Sequence, residues 1–228
     1  MKQAQRLKSV RYDIRGPVLR RAQELEAAGH RILKLNLGNP APWGMNTPDP
    51  IMADVVQNLT AAQGYSDARG IYSARVAVAQ YYQSRGVTEV QPDDVMLGNG
   101  VSELISMTMQ ALIDTGDEVL VPSPDYPLWT GTVTLCGGRP VHYRCDESNG
   151  WMPDLEHMAA QITPNTRAMV IINPTTRPAR CTPRRRCSGC STWPAGTGCW
   201  CWRTRSTTRS CSTARCTTPR PRSPRTCR

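Results

Sequence analysis

Val95-Met96-Leu97-Gly98-Asn99-Gly100-Val101-Ser102-Glu103-Leu104-Ile105 decides how this chain is read. A short apolar run stops at two glycines. A helical pattern starts at once, with Leu104, Ile105, Met109, Leu112 and Ile113 on its apolar stripe. The stretch is therefore expected to be a strand (Val95–Leu97), a tight turn (Gly98–Gly100) and a helix (Val101–Ile113). A second strand, Val119–Val121, follows directly. Outward from this unit the alternation continues. Downstream lie a Pro-rich loop, a helix at Leu128–Leu135, a strand at Val141–Arg144, a helix at Leu155–Gln161 and a strand at Ala168–Ile172. Upstream lie helices at Ile14–Ala28, Pro48–Asn58 and Tyr72–Ser84, and a strand at Ile32–Leu37. Strands separated by helices predict an α/β fold with a mostly parallel sheet. No internal repeat is visible.

The composition divides the chain in two. The formal net charge is +10, from 28 basic and 18 acidic residues. Thr175–Arg228 alone holds 13 Arg, 12 Thr and 8 of the 10 Cys, and no Lys, Asp or Glu. Residues 1–174 then carry a net charge of −3. This body has no apolar run near the ~20 residues that span a bilayer. Its first residues are basic with no apolar core behind them, which argues against a secretory signal. Its two cysteines, Cys136 and Cys145, fit a reducing compartment, so the expected location is cytoplasmic.

Thr175–Arg228 uses only eight residue types: Thr, Arg, Pro, Ala, Cys, Ser, Gly and Trp. It holds no aliphatic side chain larger than Ala, so it cannot build a core, and disorder is expected. All eight types share one property of the genetic code: every codon has G or C in second position. A GC-rich gene read one base late produces that pattern, because GC-biased third bases move into second position. Reading back supports this. Thr175-Thr176-Arg177-Pro178-Ala179 permits Asn-Asn-Pro-Thr-Gly, and Trp200-Cys201-Trp202 with Arg203 restores Val-Leu-Ala. The next residues, Thr204–Arg209, permit Asp-Glu-Ile-Tyr-Asp-Glu. The tail is read as frameshifted after Pro174. A zinc site is disfavoured: Cys199 and Cys201 are too close and the tail has no His. An arginine-rich arm could bind phosphates without specificity, so a non-enzymatic basic-tail binder stays open; no specific nucleic acid is expected.

Ligands of parallel sheets bind at the carboxyl ends of strands. Three loops stand there: Gly98–Ser102, Pro122–Trp129 and the end of Ile172-Asn173-Pro174. In the first, glycines let the backbone approach an anion, the helix start offers free N–H groups, and Ser102 adds a hydroxyl. The alternative is a plain turn with Ser102 as a cap. No Gly-Lys-Ser/Thr follows, so it is not a Walker loop. In the second, Tyr126 could stack on a flat heterocycle, while Trp129 reads as core. Tyr65, in Gly64-Tyr65-Ser66-Asp67, could offer its hydroxyl to an anion or be buried. His30, His142 and His157 are scattered, and no metal site is expected.

Taken together, these stretches resemble fold-type-I pyridoxal-phosphate (PLP) aminotransferases of class I/II, and are most similar to the bacterial alanine–2-oxoglutarate transaminase branch. The resemblance rests on Tyr12–Pro17, Leu35–Pro42, Gln63-Gly64-Tyr65, Gly98–Leu104, Pro122–Trp129 and Ile171–Pro174, in the family's order. It implies an incomplete PLP-transferase-like three-layer fold. Residues 1–44 would be an N-terminal arm and part of a small domain, 45–174 a partial PLP-binding large domain, and 175–228 the frameshifted tail. It implies that Gly100, Val101 and Ser102 cradle the PLP phosphate and that Tyr126 stacks on the pyridine ring. Tyr65 would reach the phosphate of a neighbouring subunit, which implies a homodimer. Gly38 would lie against the substrate carboxylate. The substrates would be an amino acid, alanine, and a 2-oxo acid, 2-oxoglutarate. Another fold-type-I PLP enzyme, such as a C–S lyase, is the alternative within the fold.

The departures bear on activity. Thr176 stands where the family has the asparagine that contacts the cofactor oxygen. Thr204 and Thr207 stand where the read-back has Asp and Tyr. The chain holds only Lys2, Lys8 and Lys34, and none matches the family's Schiff-base lysine. No catalytic residue is therefore assigned, and an inactive polypeptide of an aminotransferase family is expected.

Overall fold

The computed structural model describes residues 2–10, 16–34, 39–172 and 200–204. The chain divides into two compact units, Asp13–Gly98 and Asn99 onward, the latter joined by the first twelve residues.

The first unit holds three helices: α1 (Gly16–Ala27), α2 (Asp49–Asn58) and α3 (Tyr72–Ser84). All three lie where apolar periodicity places them. α1 and α2 bury no residue, and α3 buries Arg75 and Ala79, one helical turn apart on one face. Val95–Leu97 corrects the sequence reading. Val95 is extended, but the segment belongs to no strand; the Leu97 N–H donates to the Arg69 carbonyl at 2.9 Å instead. An apolar run makes a strand only when a neighbour supplies the ladder. Ile32–Lys34, the described part of a second expected strand, is also outside any sheet; residues 35–37 lie outside the described ones.

The second unit carries the sheet. It runs α4 (Gly100–Leu112), β1 (Glu118–Ser123), α5 (Leu128–Leu135), β2 (Arg139–Asp146), β3 (Met152–Pro153), α6 (Leu155–Ala160), β4 (Thr166–Ile172) and β5 (Trp200–Thr204). The strand order is β3-β2-β1-β4-β5. β1 pairs in parallel with β2 and β4, and only the two-residue β3 is antiparallel.

Alternation along the strands builds three layers. Val119 and Val121 of β1, with Ala168 and Val170 of β4, pack against Ile105, Met109 and Ile113 from the α4 side and Trp129 and Val133 of α5. Leu120, Tyr143, Met169 and Ile171 face the other way, against Met158 of α6. Central strands buried on both faces explain why Glu118–Pro122 is buried without a break. The Tyr143 hydroxyl, inside that second layer, donates to the Val170 carbonyl at 2.8 Å. α6 starts where Asp154 accepts the His157 N–H at 3.0 Å, an N-cap bond.

Of the expected disordered tail, the structure describes Trp200–Thr204, which forms β5. It pairs in parallel with β4, from Ala168 opposite Trp200 to Ile172 opposite Thr204. β5 therefore covers one edge of β4. Ladder bonds use backbone groups, so a segment without aliphatic side chains can still supply them, and aromatic residues favour strands.

Candidate functional site

Five residues join α4 to β1, so the end of α4 lies by the start of β1. The two elements share one core cluster and are each about 20 Å long, α4 at 1.5 Å per residue and β1 at about 3.3 Å. Antiparallel packing then brings the N-terminus of α4 to the carboxyl end of β1. Gly100, Val101 and Ser102 form that N-terminus.

The turn there requires glycine. Gly100 has φ +81°, in the left-handed region. Apart from its chain neighbours and the helix's own backbone, nothing lies within 4 Å of where a Cβ would stand, so the space before the helix is open. Val101 and Ser102 are exposed beside it. The first N–H groups of a helix have no partner within it. An open glycine turn, free N–H groups, a hydroxyl and the positive end of a long helix together fit a phosphate. The Glu103 carboxylate accepts the Asn99 N–H and closes the turn on its near side.

The loop after β1 is the second component. Its Ser123–Pro124 bond is cis, and Pro127 caps α5. Tyr126 is half-buried between them, and Trp129 is core at 3% exposure, as expected. One neighbour escaped the sequence reading. Cys145, near the carboxyl end of β2, accepts a hydrogen bond from the Ser123 backbone N–H. Burial, joined by the nearby Asp125 charge, pushes its thiol up to about 11, so it stays protonated and unreactive at neutral pH. Only the β1–β2 register, which sets Ser123 opposite Arg144, brings it there.

Thr204 ends β5 opposite Ile172, at the same carboxyl edge of the sheet. Tyr65 lies in the first unit and is fully exposed. Gly38, Thr176 and Thr207 lie outside the described residues.

Two of the three histidines take structural parts. His142 Nε2 meets Thr130 Oγ1 at 2.9 Å, and burial lowers its pKa. His157 Nδ1 accepts the Arg144 N–H at 3.2 Å, and His30 is exposed. Among the described residues no cluster of His, Cys, Asp or Glu could hold a metal ion. Among them, too, no helix is long and apolar enough to cross a membrane.

Comparison with known proteins places the chain in a family. Residues 32–176 match the family described as aminotransferase class I and II. The glutamate-pyruvate aminotransferase AlaA of Escherichia coli K12 is 57% identical over 174 residues, 76% of this chain and 43% of that protein. An alanine aminotransferase of Mycobacterium tuberculosis H37Rv is 59% identical over 173 residues, 75% of this chain and 40% of that protein. The chain thus spans less than half the length of these relatives. A crystal structure of an aminotransferase from Escherichia coli superposes with a TM-score of 0.85, at 48% identity over 90% of this chain and 50% of that one.

Proposed function

This chain belongs to the class I and II aminotransferases, a family of PLP-dependent transaminases, and from that premise we propose that it represents the front part of an alanine–2-oxoglutarate transaminase. The observation that carries the reading is the open glycine turn at the head of α4, set at the carboxyl end of β1 beside the Tyr126 loop. The substrate assignment draws on the relatives, whose names specify alanine, or glutamate and pyruvate.

Gly100, Val101 and Ser102 would hold the phosphate of PLP through backbone N–H groups and the Ser102 hydroxyl. Tyr126 would lie against the cofactor ring. Gly38 would meet the substrate carboxylate through its backbone, and Tyr65 would serve a neighbouring subunit in a homodimer. When bound, PLP supplies the electron-withdrawing ring that makes an amino acid's α-proton removable. This chain's own residues would bind and orient; among the described residues none is placed to move that proton. Lys2, Lys8 and Lys34 all precede the site in sequence and none matches the family's Schiff-base lysine. Thr204, at the carboxyl end of β5, cannot supply the negative charge that the read-back Asp would. The family match ends at residue 176, two residues into the stretch of changed alphabet that begins at Thr175, which supports a frame shifted after Pro174. The polypeptide as it stands is therefore inactive.

The test compares two genes, the present one and one with a single base restored before the Thr175 codon. The restored product is expected to transfer the amino group of alanine to 2-oxoglutarate, and the present chain to give no turnover. Transamination by the present chain, abolished by borohydride with PLP, would overturn the inactivity. A restored enzyme that ignores alanine but acts on another amino acid would overturn the substrate.

A further inference from the structure

Arg75 is 3% exposed, although it lies on a helix of the sparsely packed first unit. A buried guanidinium persists only when charges and carbonyls satisfy it. Its Nε donates to the Gly70 carbonyl at 3.1 Å. Its Nη1 donates to the Pro92 carbonyl at 3.0 Å and to Asp93 Oδ1 at 3.2 Å. Its Nη2 reaches Asp67 Oδ2 at 3.5 Å. The Tyr72 ring lies 5.4 Å from its Cζ.

One side chain therefore fastens the Gly64–Ile71 loop to the Pro92–Asp94 turn. Two further contacts close the same seam. Gly70 has φ +98°, and a Cβ there would stand 2.6 Å from Leu97 Cδ1, so only glycine allows the approach. Asp67 Oδ1 accepts the Arg69 N–H at 2.8 Å, which folds the loop back on itself. Tyr65 stands just ahead of Asp67 with its ring in solvent. An exposed tyrosine on a loose loop would lose conformational freedom on meeting a ligand. A clasped loop has already lost it.

We propose that Arg75 and Asp67 are positioning residues for Tyr65, holding its loop so that its hydroxyl meets a phosphate oxygen of PLP in a neighbouring subunit. This rests on the reading of Tyr65 given above. Neither residue touches the cofactor; both act through the loop.

The probes are PLP and pyridoxal, which lacks the phosphate, bound to the full chain. The ratio of their affinities isolates the phosphate contribution. Asp67→Asn is the informative variant, since it leaves Arg75 its bonds to Gly70, Pro92 and Asp93. Asp67→Asn and Tyr65→Phe should each lower the ratio about tenfold, the loss of one charge-assisted hydrogen bond, and the double variant should lose no more than either. Hydrogen exchange should quicken at Gly64–Ile71 in Asp67→Asn and stay unchanged at Val119–Val121. A ratio moved by Tyr65→Phe but not by Asp67→Asn would overturn the positioning role alone. So would additive losses, or an Asp67→Asn chain that binds both probes equally weakly. A wild-type chain with no preference for PLP would overturn the reading of Tyr65, and this inference with it.

Discussion

α2 and α4 are both amphipathic helices, and they meet opposite fates. In α4, Ile105 and Met109 are 4% and 0% exposed, locked between β1 and α5. In α2, Ile51, Met52, Val55 and Val56 are 49–61% exposed. The same contrast holds between the units. Among the described residues, Asp13–Gly98 buries Arg75, Ala79 and Val95, whereas the sheet unit buries a two-sided core. An apolar stripe makes a helix packable, and only a second surface makes it packed.

The largest expected effect lies in the sheet unit. Trp129 is 3% exposed in the layer with α4, β1 and β4. Trp129→Ala should cost about 3–5 kcal/mol through lost transfer energy and the cavity left behind. Urea unfolding followed at sheet-unit probes reads it directly. A loss under ~1 kcal/mol would mean that this core is loose in solution and that the contrast with α2 is false.

The next effect lies in the first unit, where one polar clasp does what apolar packing does elsewhere. Arg75→Ala removes four bonds and leaves the Gly70 carbonyl without its guanidinium donor, while the Pro92 carbonyl keeps the Val95 N–H. A loss of about 2 kcal/mol is expected, since Asp93 and Asp67 can turn to water. Limited proteolysis should then open residues 64–71 first, with the sheet unit intact.

How much of this was legible in the sequence follows the same division. α3 lies where its periodicity places it, and the glycine turn at Gly98–Gly100 marks the head of α4. Both are local signals. Val95–Leu97 has the pattern of a strand but lacks the neighbour, and no local pattern carries that information. β3 is too short to leave a period. β5 is held by backbone pairing, which a sequence without aliphatic residues does not advertise. At the candidate site, Gly100, Ser102 and Tyr126 are legible from loop chemistry. Cys145 is brought there by strand register. Arg75 left one signal, a charged residue on the same helical face as Ala79, and that signal points to burial without naming its partners.

A smaller effect probes the sheet unit's edge by pH. The Asp154 carboxyl is held below its ordinary range, first by the His157 backbone N–H and then by the Arg144 guanidinium. A lowered carboxylate pKa adds stability that is fully present above the unfolded value. It is lost as the pH falls through the folded value. Asp154→Asn keeps a capping oxygen but no charge. It should therefore be less stable than wild type near neutrality, with the gap closing in acid. A gap that stays constant with pH would assign the effect to the cap alone.

The smallest expected effect is the one that can undo the comparison. Val55 is 50% exposed on α2, so Val55→Ser removes little buried surface and should change the unfolding free energy by no more than ~0.5 kcal/mol. A contiguous apolar patch in water should instead drive association, and the same substitution should weaken it in sedimentation. If Val55→Ser costs as much as a core substitution, the stripe Ile51–Leu59 is already covered in solution by another copy of the chain. α2 and α4 would then differ only in whether the second surface comes from the same chain.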